Sequence, residues 1–245
     1  QDVLKMNDRQ LRNFRWNDVS VVFQSAMNSL NPVITIGEQL TDVILAHRKV
    51  TYQEAYDRAV ELLGVVGIHG DRMASFPHQL SGGMRQRVVI AVALALEPKL
   101  IIMDEPTTAL DVVVEREILN ELYELKSKFG FSILFISHDL SLMGEIADRI
   151  GVMYAGNLIE LGDAKNVFGD PQHPYTKGLI SSFPTIHGPK ERLYGIPGNP
   201  VNLLKIPQGC NFQARCNACF AECQKSDPTL VPVTNGNLVL SLIHI

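Results

Sequence analysis

Leu100-Ile101-Ile102-Met103 is an uninterrupted apolar run that stops abruptly at Asp104-Glu105. Such a run reads as a strand buried on both faces, because half-exposed strands alternate apolar and polar residues. Phe131 to Ile136 repeats the pattern and stops at Ser137-His138-Asp139. Between them, Asp111 is placed to cap a helix whose stripe carries Ile118, Leu122, Leu125 and Phe129. A further β-rich run, Val19 to Phe23, gives way to a loop at Gln24. Buried strands alternating with amphipathic helices predict an α/β fold with a mostly parallel sheet and helices on both sides. Asp104 and Glu105 then stand at the carboxyl end of a strand, where open α/β sheets bind ligands, and His138 ends the next strand.

The other elements agree with this class. Asn31-Pro32 marks a turn. Thr51-Tyr52-Gln53-Glu54 is a capping box, and the helix it opens places Ala55, Ala59, Leu62, Leu63 and Val66 on one face before Gly67 stops it. Ile150 to Tyr154 and Leu158 to Leu161 flank Ala155-Gly156-Asn157 as a hairpin. With 245 residues, 46% of them apolar and 20% charged, the chain can bury a sizeable core. A formal net charge of −4 argues against a nucleic-acid partner, since phosphate backbones are gripped by a basic face. The longest apolar run, Val88 to Leu96, has nine residues, whereas a membrane helix needs about 20. A role in transport would therefore require membrane-spanning partners. No secretory signal is visible at the start.

Leu80-Ser81-Gly82-Gly83-Met84-Arg85-Gln86-Arg87 opens the helical run Val88 to Leu96. Two glycines behind a serine at a helix start let backbone N–H groups approach an anion, and the helix dipole favours a phosphate there. Alone, the segment is more often an ordinary glycine-rich start. Of the pair Asp104-Glu105, one carboxylate suits Mg²⁺ and its neighbour suits polarising an attacking water. Two solvated acids at a strand end would look the same, and a lone His at His138 is more often structural.

Taken in order, Gln24, Ser81-Gly82-Gly83-Met84-Arg85-Gln86, Asp104-Glu105-Pro106-Thr107, Ala109-Leu110-Asp111 and Ser137-His138-Asp139 resemble the nucleotide-binding domain of ABC ATPases. They match its Q-loop, signature motif, Walker B strand, D-loop and H-loop. The resemblance implies a partial P-loop NTPase-type fold, with the ATPase domain over 1–183 and a helical subdomain over about 25–97. It implies that Gln24 and Asp104 meet Mg²⁺, that Glu105 is the general base and that His138 contacts the γ-phosphate. Ser81, Gly82 and Gly83, with Gln86 behind them, would bind ATP held mainly by a partner domain, and Asp111 would communicate across that dimer. No G-x-x-x-x-G-K-[ST] occurs among these residues, so the loop expected to cradle the subunit's own ATP is missing. The chain begins at Gln1 and is expected to be a fragment that alone binds ATP poorly and hydrolyses it negligibly.

Composition changes after about Phe183. Pro184, Pro189, Pro197, Pro200 and Pro207 suggest a linker over 184–205, followed by a Cys-rich module over 206–239. Cys210, Cys216, Cys219 and Cys223 fall within fourteen residues, a spacing suited to one metal centre. Thiolates serve Zn²⁺ or an iron–sulfur cluster alike, and disulfides are the alternative, disfavoured in a reducing compartment. Leu240 to Ile245 matches the translation of a common sequencing-adapter end and is expected to be a non-native tail.

Val22 to Pro32, Phe76 to Leu80, His173 to Leu179, Ile196-Pro197-Gly198 and the Pro207 to Cys216 segment are similar to the ATPases of oligopeptide/dipeptide (and nickel) importers. Ser25-Ala26 departs from the Asp-Pro common after the Q-loop Gln. This narrower resemblance implies ATP hydrolysis coupled to peptide import, with a second ATPase subunit, commonly a paralogue, and two transmembrane permease subunits. An extracytoplasmic peptide-binding protein would deliver cargo, and the ATPase would sit peripherally on the cytoplasmic face of the membrane. At the four cysteines the resemblance favours a [4Fe–4S] cluster over Zn²⁺. Two other readings compete. One is a soluble ABC ATPase without a transporter, although 56 residues between Gln24 and Ser81 leave no space for a long coiled coil. The other is a metal-binding scaffold that has lost ATPase function.

Overall fold

The computed structural model describes residues 2–24, 26–108, 110–182 and 195–243. Ser25, Ala109, Pro184, Pro189, the 184–194 part of the expected linker and the last two residues of the expected tail lie outside the described residues, as do the side chains of Ala26 and Met27. The chain divides into two compact units, Gln1–His138 and Asp139–Ile245.

In the first unit, α1 (Asp8–Phe14) precedes a parallel sheet of β1 (Val19–Val22), β2 (Leu100–Asp104) and β3 (Ser132–Ile136), in that order. The register sets Ser20 beside Ile101 and Val22 beside Met103, and all four are shut off from solvent. The opposite face differs, since Leu134 is 51% and Ile136 47% exposed. The expectation of strands buried on both faces is therefore corrected: among the described residues, one face of the sheet is densely covered. A continuous apolar run hides this, because the period of two sends Ile101 and Met103 to the core and Leu100 and Ile102 to the half-buried side.

Helix α2 (Ile36–His47) and α3 (Tyr52–Val65) each begin at a capping box, Thr35 with Glu38 and Thr51 with Glu54. The predicted stripe of α3 is buried from Ala55 to Leu63, and Val66 beyond it is buried too. Helix α4 (Gly82–Leu94) buries Val88, Val89, Ile90, Ala91, Ala93 and Leu94, an apolar surface too wide for one face. It accordingly packs against α2 and α3 on one side and β1 on the other. Helix α5 (Val112–Phe129) starts at the predicted Asp111 cap and buries Ile118, Leu122 and Leu125. Phe129 departs from the predicted stripe and is 37% exposed, because it occupies the last position before the left-handed Gly130.

The second unit carries α6 (Leu140–Ile146), β4 (Arg149–Tyr154), β5 (Asn157–Asp163), α7 (Ala164–Gly169), α8 (Pro174–Ser181), β6 (Leu230–Pro232) and β7 (Leu238–Leu240). Its antiparallel sheet runs β4-β5-β7-β6. The predicted hairpin is present, turning on Ala155 and Gly156 with φ of 50° and 81°, the positive pair that a two-residue turn of this hand requires. Strand β7 pairs with β5, so residues beyond the cysteines share a sheet with the hairpin. The composition change at 183/184 thus falls inside this unit. Leu240, first residue of the expected tail, pairs with Leu230, and Ser241 is buried. Among the described residues no helix is long and apolar enough to cross a membrane.

Candidate active site

The parallel sheet delivers three of the predicted groups to one carboxylate. Glu105 follows the last residue of β2, Gln24 lies just beyond β1, and His138 lies just beyond β3. Glu105 Oε2 accepts from Gln24 Nε2 at 3.0 Å and from Thr108 Oγ1 at 3.0 Å. Glu105 Oε1 lies 3.0 Å from His138 Nδ1. The His138 imidazole, then the Thr108 hydroxyl and the Gln24 amide, hold the Glu105 carboxyl below its ordinary range against a smaller opposing effect of burial. The backbone there is unusual. Glu105 has φ of +44°, a left-handed conformation that costs a non-glycine residue of order 1–3 kcal/mol. Its N–H donates to Ile136 O at 2.9 Å, which ties the turn to β3.

Asp104 ends β2 beside this cluster, and no side-chain partner for its carboxylate is present among the described residues. The Gln24 amide spends its nitrogen on Glu105, leaving its oxygen. Hard oxygen donors of this kind fit Mg²⁺.

The remaining predicted groups form a second cluster at the starts of α4 and α5. Ser81 is exposed and caps α4, its hydroxyl accepting from Met84 N at 3.3 Å. Gly82 and Gly83 are partly exposed, not sunk in the interior. A Cβ at Gly83 would lie 2.8 Å from Val114 Cγ1, so this glycine also lets α4 approach the first turn of α5. Asp111 caps that same turn through Val114 N at 3.0 Å. Gln86 does not join them. It is 1% exposed, on the side of α4 that carries Val89, Ile90 and Ala93, and among the described residues its Nε2 has no partner. The structure does not bring Gln86 to this cluster: it is the fifth residue of α4, where the helical periodicity turns it toward the core. Sequence reasoning also passed over Thr108. The available signal was a hydroxyl residue three positions after an acid, the spacing of one tight turn.

In the second unit, segments quoted above only as family markers come together. Phe212 is buried with its ring 5.2 Å from Tyr154, 5.6 Å from Tyr175 and 5.6 Å from His173, centroid to centroid. Arg215 lies over the Tyr154 ring and donates to Pro197 O at 2.9 Å and Ile196 O at 3.1 Å. Glu160, fully buried, accepts from Gln172 N at 2.8 Å, His173 N at 2.9 Å and Asn237 Nδ2 at 2.9 Å.

The four cysteines are free thiols, with Cys210 N bonded to Cys223 O at 2.8 Å. Burial first, and then the neighbouring thiols, push Cys210, Cys216 and Cys219 up. Their chemistry fits a thiophilic cation, which would reverse that shift. Their arrangement is looser: among the described residues no group of three or more His, Cys, Asp or Glu side chains is set to hold a metal ion.

Two family models match the chain, one described as ABC transporter over residues 2–108 and one described as oligopeptide/dipeptide transporter, C-terminal region, over residues 159–223. The oligopeptide transport ATP-binding protein AppD of Bacillus subtilis is 43% identical, over 98% of this chain and 76% of its own length. OppD of Escherichia coli, also an oligopeptide transport ATP-binding protein, is 44% identical over 97% of this chain and 71% of its own. Among solved structures, the dimeric post-hydrolysis state of the ATP-binding cassette MJ0796 bound to ADP and Pi is 30% identical. It superposes with a TM-score of 0.57 over 65% of this chain and 68% of that one. The strand-end acids, amide and imidazole thus stand within a sequence that matches these relatives almost from end to end, and the chain belongs to the family of ATP-binding proteins of oligopeptide/dipeptide ABC transporters.

Proposed function

We propose that this chain couples ATP hydrolysis to the import of di- or oligopeptides. The observation that carries the reading is the convergence of Gln24, Glu105 and His138 at the carboxyl edge of the parallel sheet, in a chain whose relatives are named for oligopeptide and dipeptide transport. Water attacks the γ-phosphorus and gives its proton to Glu105. The bond from that phosphorus to the β–γ bridging oxygen breaks, and ADP and phosphate leave. His138 contacts the γ-phosphate. Asp104 and Gln24 would hold Mg²⁺, which would supply positive charge against the charge on the phosphoryl oxygens.

Ser81, Gly82, Gly83 and Asp111 serve the ATP of a second ATPase subunit, commonly a paralogue. The separation of the predicted residues into two groups, and the dimeric state of MJ0796, support this. Two permease subunits span the membrane, an extracytoplasmic protein delivers peptide, and the ATPase lies peripherally on the cytoplasmic face. The catalytic domain covers 1–183 with a helical subdomain over about 25–97. The intact subunit is expected to copurify with two membrane-spanning subunits and to hydrolyse ATP faster when peptide-loaded binding protein is supplied. A subunit that never associates with permeases would overturn the transport reading in favour of a free-standing ATPase.

Cys210, Cys216, Cys219 and Cys223 hold a metal centre, a [4Fe–4S] cluster in preference to Zn²⁺. What supports this is four thiols within fourteen residues, with Cys210 N bonded to Cys223 O at 2.8 Å across the module. Anaerobically purified protein is expected to show iron, acid-labile sulfide and visible absorption. Stoichiometric zinc alone would replace the cluster, and neither metal would remove the centre.

A further inference from the structure

We propose that Thr108 is a positioning residue for hydrolysis, its hydroxyl fixing the Glu105 carboxylate in the orientation that takes the proton from the attacking water. The inference rests on the reading of Glu105 as proton acceptor.

Three groups hold that carboxylate, and they are not equivalent. Gln24 and His138 arrive from the ends of other strands, and the His138 side chain is 80% exposed. Both have second duties in the proposed reaction, the Gln24 oxygen at Mg²⁺ and the His138 imidazole at the γ-phosphate, and both reach Glu105 from residues far away in the chain. Thr108 has no such duty. It closes on Glu105 twice, through its N–H to Glu105 O at 3.2 Å and through its hydroxyl to Oε2 at 3.0 Å. Because both bonds lie within one four-residue turn, they persist when the other strand ends shift.

The side-chain type matters. Branching at Cβ restricts the Thr χ1 angle, so the turn itself aims the hydroxyl. The turn is in turn set by the left-handed Glu105 backbone and its bond to Ile136 O at 2.9 Å. Backbone, turn and hydroxyl together fix the position of the carboxylate next to the end of β2. Reaction geometry is sensitive to such placement: about 1 Å of error costs on the order of a hundredfold in rate.

The test compares Thr108→Val, which keeps shape and removes the donor, with Thr108→Ser, which keeps the donor, in the intact subunit within its transporter complex. Thr108→Val is expected to lower kcat about 10- to 100-fold, with KM for Mg-ATP and calorimetric ATP affinity changed by less than about twofold. Thr108→Ser is expected to recover kcat to within about threefold of the parent. Thr108→Ala repeats the donor loss should the valine variant not fold. A donor-free variant with the parent's kcat, or a serine variant as slow as the valine one, overturns the inference. Glu105→Gln run alongside separates the claims. If it is inactive while Thr108→Val is fully active, only the role of Thr108 falls. If it is itself active, the assignment of Glu105 falls first.

Discussion

Glu105→Gln in the intact subunit lowers ATP hydrolysis about 10²- to 10⁴-fold, the usual contribution of a positioned proton acceptor, and leaves ATP binding in place. The substitution is close to isosteric, and the surroundings can accept it. Thr108 and Gln24 both donate to Oε2, and an amide oxygen in that place still accepts from them. The capacity to take a proton is removed, and the amide nitrogen then faces His138 Nδ1 where Oε1 stood. The His138 imidazole, with the Thr108 hydroxyl and Gln24 amide, keeps the native carboxyl below its usual range, so it is ionised and ready at neutral pH. Steady-state phosphate release measures the loss, and calorimetry measures binding. A variant that turns over near the parent rate would take Glu105 out of the reaction.

Glu160→Leu is expected to destabilise the second unit by about 3 kcal/mol or more, since each buried donor left without a partner costs about 1–3 kcal/mol. Three donors depend on this fully buried carboxylate: the N–H groups of Gln172 and His173 and the side-chain amide of Asn237. Leucine fills a similar space and accepts nothing. The donors also join distant parts of the chain, because Gln172 and His173 lead into α8 while Asn237 leads into β7. The loss therefore reaches beyond the site of change, and it is large beside a total stability of about 5–15 kcal/mol for a typical domain. Chemical denaturation of the intact protein, followed by a probe in the second unit, gives the size. A midpoint unchanged from the parent would show that the network contributes nothing.

Much of this was legible before any coordinates. The caps at Thr51 and Asp111 depend on residues within one turn, and a window of four residues contains the whole argument. The Ala155-Gly156 hairpin is likewise local. Strand ends at Gln24, Glu105 and His138 were legible from apolar runs that stop at polar residues, and parallel pairing brings such ends to one edge.

Other features were closed to the sequence. The runs at β2 and β3 read as doubly buried, yet Leu134 and Ile136 face largely open space; an apolar pattern records affinity for a cover and not whether a cover is present. Gln86 looked like part of a ligand-binding motif because of its neighbours, but helix rotation put it in the core. Likewise, nothing local in Glu160 predicts that His173 and Asn237 will converge on it, since the three lie on separate elements.

The sequence by itself determined the class of fold, the starts of α3, α4 and α5, the Ala155-Gly156 turn and the order of phosphate-handling motifs, because each is written in side chains a few positions apart. Tertiary structure alone decided which distant atoms meet: that one carboxylate gathers Gln24 and His138, that Gly83 packs against Val114, and that β7 closes onto β5. Contacts of that kind depend on the relative placement of elements many residues apart, and no short stretch of chain holds the distances that define them.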